Sequence, residues 1–191
     1  MNGVDQSLFL WLNLGPGAPA WLLEAARAIS LQWPHWMVAA TLAVVLTGRP
    51  RWRAQAGRVL CSLALAAGAA AALKHGFHLP RPFMLGLGTA WLPHGATAGF
   101  PSSHTAAAAA FAASAALAPL RWPVRGLLLA SALAMAWSRV ALGLHFPSDA
   151  LAGLCLGVLC AALVQAAGAA LARYAPVAAA RERRPAAEPL S

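Results

Sequence analysis

The sequence predicts an all-α, polytopic membrane helical bundle of about five to six transmembrane helices, led by an amphipathic N-terminal segment. Three observations predict it. The first is composition. Of 191 residues, 60% are hydrophobic and only 10% charged, and mean hydropathy is +0.63. A soluble domain carries about 25% charged residues, so this inventory cannot cover a water-exposed surface. The second is punctuation, because long apolar runs are separated by short breaks rich in Pro, Gly and Arg. The third is the placement of charge. Net charge is +9, yet the basic residues flank apolar runs instead of clustering beside a soluble fold. That pattern orients a membrane protein and argues against nucleic acid as a partner.

In chain order, the N-terminus lacks the basic stretch that opens a cleavable signal peptide. Residues 5–14 carry Leu8, Phe9, Leu10, Trp11 and Leu12 and stop at Gly15-Pro16-Gly17, too short to span. Glu24 and Arg27 make the next run amphipathic, and Pro34 is placed to break it. Residues 1–30 are therefore expected to lie at the interface or re-enter it. Residues 31–172 should form the transmembrane domain, with spans over 31–47, 54–73, an Ala-rich run opening at Pro101, 126–144 and 150–172. Ser102 or Ser103 can cap the Ala-rich helix, and Pro147 suits the first turn of the last one. Residues 173–191 read as a basic, disordered cytoplasmic tail. Cys61, Cys155 and Cys160 all fall inside apolar runs without metal or disulfide spacing and read as small packing residues.

Ten of the 14 Lys and Arg residues fall on one side of this topology: Arg49, Arg51, Arg53, Arg58, Arg121, Arg125, Arg173, Arg181, Arg183 and Arg184. The positive-inside rule makes that side cytoplasmic. The segments bearing Lys74, Arg81, His104, Arg139, His145 and Asp149 then emerge together on the opposite face. Ionisable residues at membrane depth are costly and mark function. Arginine forks match phosphate oxygens, and a helix N-terminus with Ser102 and Ser103 presents free N–H groups to an anion. The set describes a site for a phosphate dianion and for the charge of a phosphoryl transition state. Two histidines can divide nucleophilic attack and leaving-group protonation between them. Asp149, at helical spacing from His145, can orient its ring. Three cations and a single carboxylate leave no need for a metal and make a poor magnesium site. His75 and His78 read as neighbours of the site, His94 as a loop residue near its mouth and His35 as interfacial.

Lys74-x6-Arg81-Pro82, Pro101-Ser102-Ser103-His104 and Ser138-Arg139-x5-His145-x3-Asp149 resemble the three signature motifs of the type 2 phosphatidic acid phosphatase superfamily. The stretches around Arg81-Pro82-Phe83, Phe100 to Thr105 and Trp137 to Asp149 are most similar to its bacterial undecaprenyl-diphosphatase branch. The resemblance implies a metal-independent, cofactor-free, vanadate-sensitive lipid phosphatase working through a phosphohistidine in a bacterial inner membrane, its site facing away from the cytoplasm. Its partners would be a lipid phosphate or pyrophosphate substrate and membrane lipids. By position, His145 resembles the nucleophile, Asp149 its orienting partner and His104 the general acid. Lys74, Arg81, Arg139 and Ser102 resemble phosphate ligands. One position departs: the usual glycine of the second motif is Ser103, whose N–H can face phosphate while its side chain narrows the approach. Phosphatidate, phosphatidylglycerophosphate or lipid A is the alternative substrate. A passive lipid-phosphate binder or transporter is the rival class, against which the His145, Asp149 and His104 set argues.

Overall fold

The computed structural model describes residues 3–182, with side chains through Tyr174. Among these residues it holds seven α-helices and one short 3-10 helix: α1 Gly3–Leu12, α2 Ala20–Leu31, α3 Trp33–Thr47, α4 Pro50–Gly76, the 3-10 turn Pro82–Leu85, α5 Ser103–Ala115, α6 Trp122–Ala141 and α7 Pro147–Glu182. Proline at the first or second position opens α3, α4 and α6, where its missing N–H leaves no bond unmade. The expected break near Pro34 falls two residues earlier, at Gln32, where α2 and α3 meet at a 40° bend.

Three helices are long and apolar enough to cross a bilayer, Pro50–Gly76, Trp122–Ala141 and Pro147–Tyr174, and the bent pair α2–α3 would make a fourth. Among the described residues, length and composition therefore do not confirm the expected five to six spans. The difference lies in the Ala-rich run. Its helix α5 has 13 residues, or about 20 Å, against a hydrocarbon core of about 30 Å. It is the hub of the bundle instead, packed against α4, α6 and α7 with most of its residues buried. Alanine allows that approach, and glycine completes it: a Cβ on Gly157 of α7 would overlap the carbonyl oxygen of Ala106. At its other end α7 runs on to Glu182, so residues 173–182 continue the helix where a disordered tail is expected. The remainder of that tail lies outside the described residues. Cys160 is buried as expected, whereas Cys61 and Cys155 are exposed on the outer surface of the bundle and do not pack inside it.

Alternation of direction places the chemistry. The C-terminal ends of α4 and α6 and the N-terminal ends of α5 and α7 come to one end of the bundle. Lys74, Arg139, His104 and Asp149 sit on those four ends.

Candidate active site

The site is built around the turn joining α6 to α7. Arg139 is buried in the last turn of α6, and His145 lies in the connection, with Asp149 in the first turn of α7. The turn reverses at Gly143, whose φ of 77° is a conformation side chains disfavour. A Cβ there would also strike the carbonyl of Thr89. Phe146 N–H donates to Asp149 Oδ2 at 2.9 Å, so the carboxylate both caps the helix start and is held in place. The same Oδ2 lies 3.4 Å from His145 Nδ1, close but short of a formed hydrogen bond.

The other ring nitrogen is defined by Arg81. Its Nη1 lies 3.0 Å from His145 Nε2 and also donates to the carbonyl of Leu144 at 3.0 Å. Arginine can only donate, so Nε2 is the acceptor and Nδ1 carries the proton that faces Asp149. The rest of the guanidinium is fixed by Thr97 and Ala98: Nε donates to the Thr97 carbonyl at 2.9 Å, and Nη2 to Thr97 Oγ1 and the Ala98 carbonyl. Lys74 Nζ donates to the carbonyls of Ala98 and Gly99. Backbone carbonyls of the 97–99 loop thus hold two cations beside an imidazole. His145 is only 2% exposed, and its pKa is driven well below the ordinary value. Burial is the largest cause, followed by the charges of Arg81, Arg139, Lys74 and His104. The ring is therefore neutral near pH 7 with an unprotonated Nε2.

Arg139 is the most telling side chain. Its Nη1 donates to Ser30 Oγ at 2.6 Å, while Nε and Nη2 are buried without a hydrogen-bond partner. Buried donors in native proteins are overwhelmingly paired, and an unpaired one costs about 1–3 kcal/mol, more when charged. Two aimed at one place describe a seat for an anion.

The structure gathers the sequence-predicted residues at this end, with differing engagement. Ser102 is fully buried, caps α5 by position, donates its backbone N–H to the Asp149 carbonyl and accepts from Thr105 Oγ1. Ser103 is half-buried at the first residue of α5, and His104 next to it is exposed. His75, His78 and His94 are exposed, and His94 Nδ1 lies 3.1 Å from the Gly95 carbonyl. His35 is exposed on α3, away from the site. Sequence reasoning missed Ser30 and Thr97. The one available signal was a lone serine in the apolar stretch at the end of α2; Thr97 had none.

Residues 55–170 match the family model of the PAP2 superfamily. That stretch is over half the chain and contains all eight predicted site residues. The chain belongs to the PAP2 superfamily. As a PAP2 protein it is a multi-pass membrane phosphatase. It is 33% identical over 164 residues to "Putative undecaprenyl-diphosphatase YbjG" of Escherichia coli strain K12, covering 83% of this chain and 80% of that one. Its fold is similar to the crystal structure of Aquifex aeolicus LpxE, with a TM-score of 0.72, 20% identity and coverage of 86% and 96% of the two chains. It is similar as well to a transmembrane PAP2 type phosphatidylglycerolphosphate phosphatase from Bacillus subtilis, with a TM-score of 0.69, 22% identity and coverage of 88% and 86%. At those identities the two structures speak for the fold alone.

Proposed function

We propose that this PAP2 protein hydrolyses the terminal phosphoryl group of a lipid pyrophosphate, undecaprenyl diphosphate to undecaprenyl phosphate, through a phosphohistidine on His145. The observation that carries the reading is the division of the His145 ring: Nε2 accepts from Arg81, and Nδ1 faces Asp149. The ring therefore offers a lone pair where a phosphorus atom would sit, with a carboxylate behind it.

The terminal phosphate takes the place of the Arg81–His145 contact. Arg81 turns its Nη1 to a phosphoryl oxygen, and Arg139 Nε and Nη2, Lys74 Nζ and the N-terminus of α5 with Ser102 and Ser103 bind the others. His145 Nε2 attacks phosphorus, and the bond to the bridging oxygen breaks. The lipid monophosphate leaves, protonated by His104. Being exposed while His145 is buried, His104 can exchange its proton with water. Asp149 stabilises the charge on the His145 ring through Nδ1–H. A water molecule, deprotonated by His104, then cleaves the P–N bond, giving inorganic phosphate and the free imidazole. The fixed cations supply the positive charge that the transition state needs.

The choice of an isoprenyl pyrophosphate rests on the E. coli relative at 33% identity. Room for its chain is at hand: a groove of about 580 Å³ lined by Val4, Leu8, Leu79, Phe100 and Leu151 opens beside Ser148. The positive-inside count supports a site on the non-cytoplasmic face of the membrane, which for a bacterial enzyme would be the inner membrane. The test is phosphate release by detergent-purified protein from undecaprenyl diphosphate and, in parallel, phosphatidate and phosphatidylglycerophosphate, all in chelator. Preferred turnover of the pyrophosphate is expected. Preference for a glycerolipid would overturn the substrate, and no turnover of any would overturn the activity.

A further inference from the structure

We propose that α1 is a splint for the catalytic turn, and that Asp5 is a positioning residue for the His145–Asp149 pair. This rests on the reading of that turn as catalytic. Asp5, Phe9 and Asn13 are spaced by four, so they share one face of a helix and its immediate exit. Each meets a different point of the turn. Asp5 Oδ1 accepts from Ser148 N–H at 3.0 Å, and Oδ2 from Ser148 Oγ at 2.6 Å. Phe9, fully buried, lies with its ring centroid 5.3 Å from that of Phe146. Asn13 Nδ2 donates to the carbonyls of Ala141 and Thr89, its Oδ1 accepts from Thr89 N–H, and Leu14 N–H donates to Ala141. The opposite side of α1 is bare, with Trp11 81% exposed.

These contacts bracket the chemistry: Ala141 follows Arg139 by two residues, Phe146 follows His145, and Ser148 precedes Asp149. The start of a helix leaves N–H groups without intrahelical partners. In α7 the Asp149 side chain satisfies that of Phe146. Asp5, arriving from 143 residues away, satisfies that of Ser148 and brings a negative charge to the positive end of the helix. Two bonds to one serine fix the rotation of the first turn of α7, and with it the direction of the Asp149 carboxylate relative to the His145 ring. Both Asp5 hydrogen bonds to this turn go to Ser148, so it is a positioning residue, and its negative charge also bears on that of Asp149.

The test uses the full chain with Asp5→Ala, Asp5→Asn and Ser148→Ala. Competent sites are counted by the phosphoenzyme burst, so that kcat refers to folded enzyme. Asp5→Ala should lower kcat on the order of ten- to a hundredfold, the worth of charged hydrogen bonds, with KM changed by less than about threefold. Asp5→Asn, which keeps an acceptor for the Ser148 N–H, should recover part of the loss. Ser148→Ala should cost about two- to tenfold and nothing further in the Asp5→Ala background. A kcat per competent site equal to wild type in Asp5→Ala, or a loss confined to KM, overturns the proposal. A second arm needs no substrate. Hydrogen–deuterium exchange should quicken in peptides covering 142–149 and stay unchanged in the middle of α5. Unchanged exchange at the turn overturns the splint, and the Ser148→Ala protein carries this arm if Asp5→Ala does not fold. Wild type inert on every lipid would sink the catalytic reading instead, leaving exchange to judge the splint.

Discussion

The two ends of the bundle are made from the same helices and solve opposite problems. At the far end, α3, α4, α5 and α6 flank an open pocket of about 210 Å³ lined by side chains such as Trp52, Val59, Phe111 and Leu128. Its polar members are satisfied by backbone: Gln55 Nε2 donates to the Ser114 carbonyl and Thr41 Oγ1 to that of Met37. At the site end there are two buried arginines, a buried histidine and a buried aspartate. Arg139 keeps two nitrogens without partners, and His145 one. The polar groups just named at the far end are satisfied by backbone, whereas the site end holds buried donors that lack acceptors, beside the groove of about 580 Å³. Among the described residues Arg27 Nε and Trp33 Nε1 are also buried without partners, but only Arg139 carries two such donors on one guanidinium. That paired, unspent hydrogen-bonding capacity marks the candidate site, because a ligand can repay its cost.

Substitutions at the two ends can break or sharpen that contrast. The largest effect belongs to His145→Asn, which keeps a polar side chain but removes the proposed nucleophile. Turnover should fall on the order of 10³-fold or more, with no phosphoenzyme on rapid quench. Arg139→Lys should cost about 10²–10³ in kcat, the scale of a lost oxyanion donor, because an ammonium cannot present the two parallel N–H groups now unpartnered. The same protein should still bind the lipid and elute as a folded species by size exclusion. Gly143→Ala tests the turn itself. The positive φ and the Thr89 carbonyl together should destabilise it by about 1–3 kcal/mol or more, read as a lower thermal midpoint and a lower kcat.

Acid sensitivity follows from the depressed pKa of His145. Protonation would block Nε2, but burial and the surrounding cations delay it to well below 6.5. As pH falls from 8 to 6.5, kcat/KM should lose nothing to His145, and any limb due to this ring should appear only below 6.5. A limb at or above 6.5 that disappears in His145→Asn would contradict that. The smallest effect lies at the far end. Val59→Ala, in the apolar core, should cost about 1–3 kcal/mol of stability with kcat within about twofold of wild type, as distant sites act independently. A large loss of kcat there would erase the contrast.

Much of this was legible in the sequence, for identifiable reasons. Lys74, Arg81, His104, Arg139, His145 and Asp149 stand out because ionisable residues are costly in apolar runs, and alternating helices carry them to one end. Pro147 at the start of α7 and the bend near Pro34 follow from the chemistry of proline. What escaped is what depends on tertiary contact. The splint was hidden because Asp5, Phe9 and Asn13 look like any short amphipathic segment until Ser148, Phe146 and Ala141 are laid against them. Ser30 is paired with a residue 109 positions away, which no local pattern encodes. The expected count of five to six spans is not confirmed, because alanine content signals a helix without saying whether lipid or protein surrounds it. Here α5 is short and wrapped by its neighbours.

The most direct measurement is the site of covalent labelling. Protein in chelator is mixed with an isoprenyl pyrophosphate labelled in its terminal phosphate, quenched within one turnover and digested under alkaline conditions that preserve phosphohistidine. The label should be on the peptide bearing His145, be lost on acid treatment and be absent from His145→Asn. Label on another residue, or full turnover by His145→Asn, would contradict the nucleophilic role of this ring.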